Sequence, residues 1–147
     1  LSLRSLNNAI TQTGAIAIDV LTLQSGTGTI DLTNASNSFG SVSGGGALGA
    51  LSLTAGGNYS TGAITSSGAV SLTAGSAGTL TVGAALTGAN VTLSGGTVAV
   101  NGAVTASASN GSLTVNADSM SLSSGSLVAN TGANATVTLR PLTAGRG

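Results

Sequence analysis

The chain's 147 residues suffice for one continuous core, but only 4% of them are charged and the net charge is zero, where ordinary domains carry roughly 25% charged residues. No basic patch exists to neutralise phosphates, which argues against nucleic-acid binding, and a hydrophobic fraction of 41% argues against disorder. Ser, Thr or Gly interrupts every apolar cluster before the roughly 18 apolar residues of a membrane-spanning helix, and two aromatics, Phe39 and Tyr59, cannot form the girdles of a transmembrane barrel.

Residues 1–28 hold Ile10, Ile16, Ile18, Val20, Leu21 and Leu23, in ambiguous register, with a coil expected near 8–28. The first clear strand is Thr29-Ile30-Asp31-Leu32-Thr33. Between Ala35 and Ala50 the strand signal fades into Ser38-Phe39-Gly40-Ser41-Val42 and the run Gly44-Gly45-Gly46. Then come Ala50-Leu51-Ser52-Leu53-Thr54-Ala55, Ala69-Val70-Ser71-Leu72-Thr73-Ala74 and Asn90-Val91-Thr92-Leu93-Ser94. Ser112-Leu113-Thr114-Val115-Asn116 and Thr136-Val137-Thr138-Leu139-Arg140 complete the series. Each alternates an apolar with a polar residue, the period-2 pattern of a strand buried on one face. The leading apolar residues Ile30, Leu51, Val70, Val91, Leu113 and Val137 recur about every 21 residues, the mark of a repeat architecture.

Two further apolar clusters follow in each repeat. Leu80, Val82 and then Leu86 come after Val70 and Leu72; Val98, Val100 and then Val104 come after Val91 and Leu93. Met120, Leu122 and then Leu127 come after Leu113 and Val115. Three clusters per period, separated by Gly-, Ser- and Asn-rich corners, predict an all-β fold: a three-sided parallel β-helix, or solenoid, of roughly six coils. Coils stacked about 4.8 Å apart would place like side chains on like, so repeated charges would repel and Ser and Thr fill the outer rows. Asn and Gly suit the sharp corners. Residues 1–147 are expected to form a single solenoid segment. Both ends lack a cap sequence, Leu1-Ser2-Leu3 being strand-like and Ala144-Gly145-Arg146-Gly147 following closely on a strand; a segment of a longer chain is the expected context.

Chemistry has few residues to use. His, Cys, Lys and Glu are absent, and Asp19, Asp31 and Asp118 are spread along the chain, so no catalytic residue, metal ligand or cofactor-binding residue is expected. The run Gly44-Gly45-Gly46 lacks the Asp of a calcium-binding repeat. Asn34, Asn58, Asn90, Asn110 and Asn134 each begin an Asn-x-Ser/Thr phrase and are the candidate glycosylation sites, although abundant Ser and Thr produce such phrases by chance. Thr79-Leu80-Thr81 has the form found on flat ice-binding faces, but such a face needs the same outward pair in every coil, and no such repetition is read here.

Val70-Ser71-Leu72-Thr73-Ala74, Leu51-Ser52-Leu53-Thr54-Ala55, Asn37-Ser38-Phe39-Gly40-Ser41-Val42-Ser43 and Val137-Thr138-Leu139-Arg140-Pro141-Leu142-Thr143-Ala144-Gly145-Arg146 resemble the repeats of bacterial two-partner-secretion exoproteins. These are the filamentous haemagglutinins, large adhesins and contact-dependent toxin stalks. The resemblance covers most of the chain from about Gly14 onward and implies a right-handed β-helix, export, and a place at the bacterial cell surface. It implies a structural or adhesive rod, not an enzyme, whose partners are host or neighbouring-cell surface molecules. A self-assembling fibre, sheath or biofilm-matrix subunit, partnered by its own copies, is the alternative; a toxin stalk is a further one.

Overall fold

Ile10, Ile30, Leu51, Val70, Val91, Leu113 and Val137 stack in one parallel ladder in a computed structural model of the chain. The structure describes residues 1–24, 26–44, 46–130 and 132–143. Gly45 of the glycine run and the closing Ala144-Gly145-Arg146-Gly147 lie outside them.

The chain enters on β1 (Ser2–Arg4) and β2 (Ile10–Thr11), and coil 1 follows with β3 (Ala17–Gln24) and β4 (Ile30–Leu32). Coil 2 holds β5 (Ser38–Gly44), β6 (Ala47–Leu48) and β7 (Leu51–Thr54); coil 3 holds β8 (Tyr59–Thr61), β9 (Ile64–Ser66) and β10 (Val70–Thr73). Coil 4 is β11 (Thr79–Val82), β12 (Leu86–Gly88) and the first half of β13 (Val91–Val100). Coil 5 takes the second half of β13, β14 (Ala103–Ala106) and the first half of β15 (Ser112–Ser121). Coil 6 ends the stack with the rest of β15, β16 (Ser126–Ala129) and β17 (Thr136–Arg140).

Every registered strand pair is parallel, and each joins one coil to the next. Val70↔Val91 spans 21 residues, Leu51↔Val70 spans 19 and Leu113↔Val137 spans 24. The expected β-solenoid of about six turns is therefore the fold. Face 1 runs β2-β4-β7-β10-β13-β15-β17, and face 2 runs β1-β3-β5-β8-β11-β13-β15. β13 serves both because Val91–Ser94 pair with β10 while Thr97–Val100 pair with β11, the chain bending at Gly95 and Gly96 between them. Face 3 is the separate sheet β6-β9-β12-β14-β16.

The core is what the alternation predicts. Leu51, Leu53, Val70, Leu72, Val91, Leu93, Leu113 and Val115 are all buried on face 1. Leu80, Val82, Val98 and Val100 close face 2, and Ile64, Leu86 and Val104 close face 3. The ambiguous register of residues 1–28 resolves: Leu3 stacks on Leu23, Ile10 on Ile30, and Leu21 on Val42. Leu122, grouped with Met120 as a core pair, is instead exposed just past β15.

Where the strand signal faded, the structure has a seven-residue strand, β5. Its pattern is hidden because Gly40 and Ser41 both lie outside the core, between inward Phe39 and Val42. Coil 1 does the same with Asp19 and Val20 between Ile18 and Leu21. In β8 a single residue, Ser60, separates inward Tyr59 and Thr61, and Ser41↔Ser60 and Val42↔Thr61 are the registered pairs. Two residues thus face one, which is a β-bulge.

Candidate functional site

The outer faces are the surface on which a solenoid can act, and register arranges them into rows. On face 1, Asp31, Ser52, Ser71, Thr92, Thr114 and Thr138 form one row. Thr54, Thr73, Ser94, Asn116 and Arg140 form the second. The outward pair read as unrepeated after Thr79-Leu80-Thr81 thus recurs in looser form on another face, as Ser52 with Thr54, Ser71 with Thr73, and Thr92 with Ser94. Face 3 carries Thr65, Thr87 and Thr105 in line, then Val128. Packing drives this arrangement: inward positions take the branched apolar residues, and stacked outward positions take small uncharged ones.

The candidate asparagines occupy corners and outer edges, and three of them clasp neighbouring coils. Asn58 Oδ1 accepts from the backbone N–H of Thr79 (2.8 Å), Asn90 Oδ1 from that of Ser112 (2.8 Å), and Asn110 Oδ1 from that of Asn134 (3.0 Å). Asn110 sits at φ 62°, the left-handed conformation that Asn tolerates at bends. Asn34 Oδ1 accepts from Ser36 N–H within its own corner (2.9 Å). In each of these four the acceptor oxygen is engaged by backbone, so the amide nitrogen, the atom a glycan would occupy, is turned away from that bond.

Asn37 has a role that composition did not single out. It is buried, accepts from Ile16 N–H and Gln12 Nε2 (2.8 Å each), and donates to the carbonyls of Leu32 (3.1 Å) and Thr54 (3.0 Å). The only available signal was its place beside a corner, where Asn and Gly are expected for other reasons.

The acids are not drawn into one constellation. Asp31 accepts from Thr33 Oγ1 (2.8 Å) in a shallow depression of about 280 Å³ with Thr11, Gln12 and Asn34. Asp19 borders a second depression, of about 440 Å³, with Ile18, Ser38 and Gly40. Asp118 accepts from the N–H (2.8 Å) and the hydroxyl (2.6 Å) of Thr143, pinning the segment after β17. Among the described residues no three His, Cys, Asp or Glu side chains are grouped to hold a metal ion, and no helix is long and apolar enough to cross a membrane.

Phe39 and Tyr59 are core residues rather than exposed contact points. Their rings meet edge to face at 6.2 Å inside coils 2 and 3. Sugar recognition by an exposed aromatic platform therefore has no residue to use. The arrangement offers long rows of hydroxyl and amide hydrogen-bonding groups, with charge on face 1 confined to Asp31 and Arg140 among the described residues. No family model, curated protein or solved structure matches the chain.

Proposed function

We propose that this chain is a section of the rod of a secreted bacterial cell-surface exoprotein of the filamentous-haemagglutinin kind, acting as a structural and adhesive spacer. The observation that carries this reading is the uninterrupted apolar ladder from Ile10 to Val137, flanked by outer rows in which Asp31 and Arg140 are the only charges on face 1 among the described residues. Each coil adds about 4.8 Å of axial length, so six coils make a rod roughly 30 Å long. Such a stack sets distance and stiffness and offers many weak hydrogen-bonding contacts along its sides. The strand phrases that resemble two-partner-secretion exoproteins supply the surface location, the export route and the host or neighbouring-cell partner.

Electron cryo-microscopy of the native material, with antibody labelling of intact cells, tests the proposal. The expected result is thin rods with a 4.8 Å axial repeat, labelled at the outer surface, whose loss reduces attachment. Long filaments of stacked identical units would favour the fibre or matrix-subunit reading instead. A rod joined to a toxic domain, with attachment unchanged on its loss, would favour the stalk. Labelling confined to the cell interior would refute all three.

A further inference from the structure

Coil 3 departs from its neighbours in what it buries. In coil 5 the inward residues are Val98, Val100, Val104, Ala106, Leu113 and Val115. The matching positions of coil 3 are Tyr59, Thr61, Ile64, Ser66, Val70 and Leu72. Three of these six bring a polar atom inside. Ser66 is satisfied, its hydroxyl lying within hydrogen-bond reach of the Gly49 and Gly68 carbonyls and accepting from Gly68 N–H (3.2 Å). Thr61 Oγ1 is buried without a hydrogen-bond partner, and Tyr59 Oη, likewise buried, has only the Thr73 backbone beside it, outside full hydrogen-bond geometry. Thr61 lies between Val42 and Val82, a hydroxyl in an otherwise apolar ladder. One unpaired buried polar group weighs roughly 5- to 150-fold on a folding equilibrium.

Pairing on faces 2 and 3 is also shorter around this coil than between coils 4 and 5, although β8 and β11 still share three pairs. β5 meets β8 only through Ser41↔Ser60 and Val42↔Thr61, where the bulge ends. Among the described residues the registered pairs are Ala47↔Thr65 and Leu48↔Ser66 between β6 and β9, and Ile64↔Leu86 and Thr65↔Thr87 between β9 and β12. Between coils 4 and 5, by contrast, β11 and β13 share four pairs and β12 and β14 share three. Face 1 alone runs at full width through coil 3, with four pairs on each side of β10. The edge-to-face contact of Phe39 with Tyr59 opposes opening, but it is one contact against two buried hydroxyls that lack a full hydrogen bond and two shortened faces.

We infer that coil 3 is a built-in yielding point within the rod: its contacts on faces 2 and 3 open before those between coils 4 and 5, with face 1 as the hinge. Local opening of this kind is a property of regions with few buried apolar contacts and short ladders. The inference rests on the fold and is independent of the adhesive reading.

Native-state hydrogen exchange on the full chain tests it. The reporters are the amides of Gly62 (bonded to Val42 O, 2.8 Å) and Gly83 (to Thr61 O, 2.9 Å), and the reference is Asn101 (to Val82 O, 2.9 Å). Gly62 and Gly83 are expected to exchange roughly tenfold faster than Asn101 or more, and Thr61→Val to slow both by about tenfold while changing Asn101 far less. Tyr59→Phe is expected to act in the same direction. Equal rates at the three amides in the natural sequence, or equal slowing of all three in Thr61→Val, would overturn the inference, because the coils would then open as one unit.

Discussion

Asn37 and Gln12 lie 25 residues apart and exchange amide hydrogen bonds, Gln12 Nε2 donating to Asn37 Oδ1 at 2.8 Å and Asn37 Nδ2 donating to Gln12 Oε1 at 2.9 Å. Asn37 is buried in this pairing and also reaches the backbone of Ile16, Leu32 and Thr54. Its side chain therefore ties the entering segment to coils 1 and 2. A buried amide is tolerated here because each of its polar atoms has a partner.

Asn37→Ala removes all of these bonds and strands the Ile16 N–H and the two carbonyls near a dry interior. The expected cost is about 2–4 kcal/mol, the range for breaking a buried network. Gln12→Ala deletes the reciprocal pair together with the bonds to Gly14 O (2.6 Å) and from Asn34 N–H (3.3 Å), but at a half-buried position where water can replace them, and should cost about 1 kcal/mol. Urea denaturation of both variants checks the order; equal losses would mean that the backbone bonds of Asn37 contribute little.

Face 1 was legible because its strands alternate cleanly and repeat. Ile30, Leu51, Val70, Val91, Leu113 and Val137 are one ladder in the sequence and in the structure. β5 was not legible, because a bulge places Gly40 and Ser41 together between Phe39 and Val42 and destroys the period-2 signal. The candidate asparagines could be found by motif, but their bonds could not: Asn58 meets Thr79 and Asn110 meets Asn134 only once the coils are in register. Thr61 was invisible for the opposite reason. A threonine in an alternating pattern reads as an outward residue, and only its pairing with Val42 and the burial of its side chain show that it faces the core.

Leu72 is fully buried, with Leu53 on the coil before and Leu93 on the coil after. Truncation in Leu72→Ala should cost about 2–5 kcal/mol through lost burial and the cavity left behind. Leu72→Asp places a carboxylate among leucines with no partner, so the charge must be neutralised or the coils must part. Far-ultraviolet circular dichroism should show loss of the folded β signal at neutral pH. Retained signal and unchanged melting in this variant would contradict a face 1 packed inward.

Two glycines separate close approach from open space. A methyl group on Gly102, at the bend between β13 and β14, would fall on the backbone of Ala84 in the coil before. At Gly57 it would meet nothing within 4 Å. Gly102→Ala should therefore cost about 2 kcal/mol or more, since the clash is with backbone that cannot turn aside. Gly57→Ala should be neutral or stabilising by about 0.4–1 kcal/mol through the unfolded chain's lost freedom. Thermal melting of the two variants should move in opposite directions; parallel shifts would place the coils farther apart at Gly102.

Tyr59 makes the alkaline limb of stability interpretable. It is the one tyrosine, and the chain has neither Cys nor Lys, so no other side chain titrates between about pH 9 and pH 12. Burial pushes its phenol well above the ordinary value near 10, the Thr73 backbone offsetting this only in part. The unfolded chain therefore loses this proton at lower pH than the folded one. The resulting stability is fully present below about pH 10 and is lost as pH rises beyond it, because the unfolded state then binds fewer protons. In urea titrations the midpoint should fall steadily above pH 10 in the natural sequence and stay much flatter in Tyr59→Phe, with phenolate absorbance appearing only well above pH 10, as coil 3 or the whole chain opens. Phenolate absorbance that rises near pH 10 while the β signal persists would mean that the ring is open to solvent and that coil 3 is not closed over it.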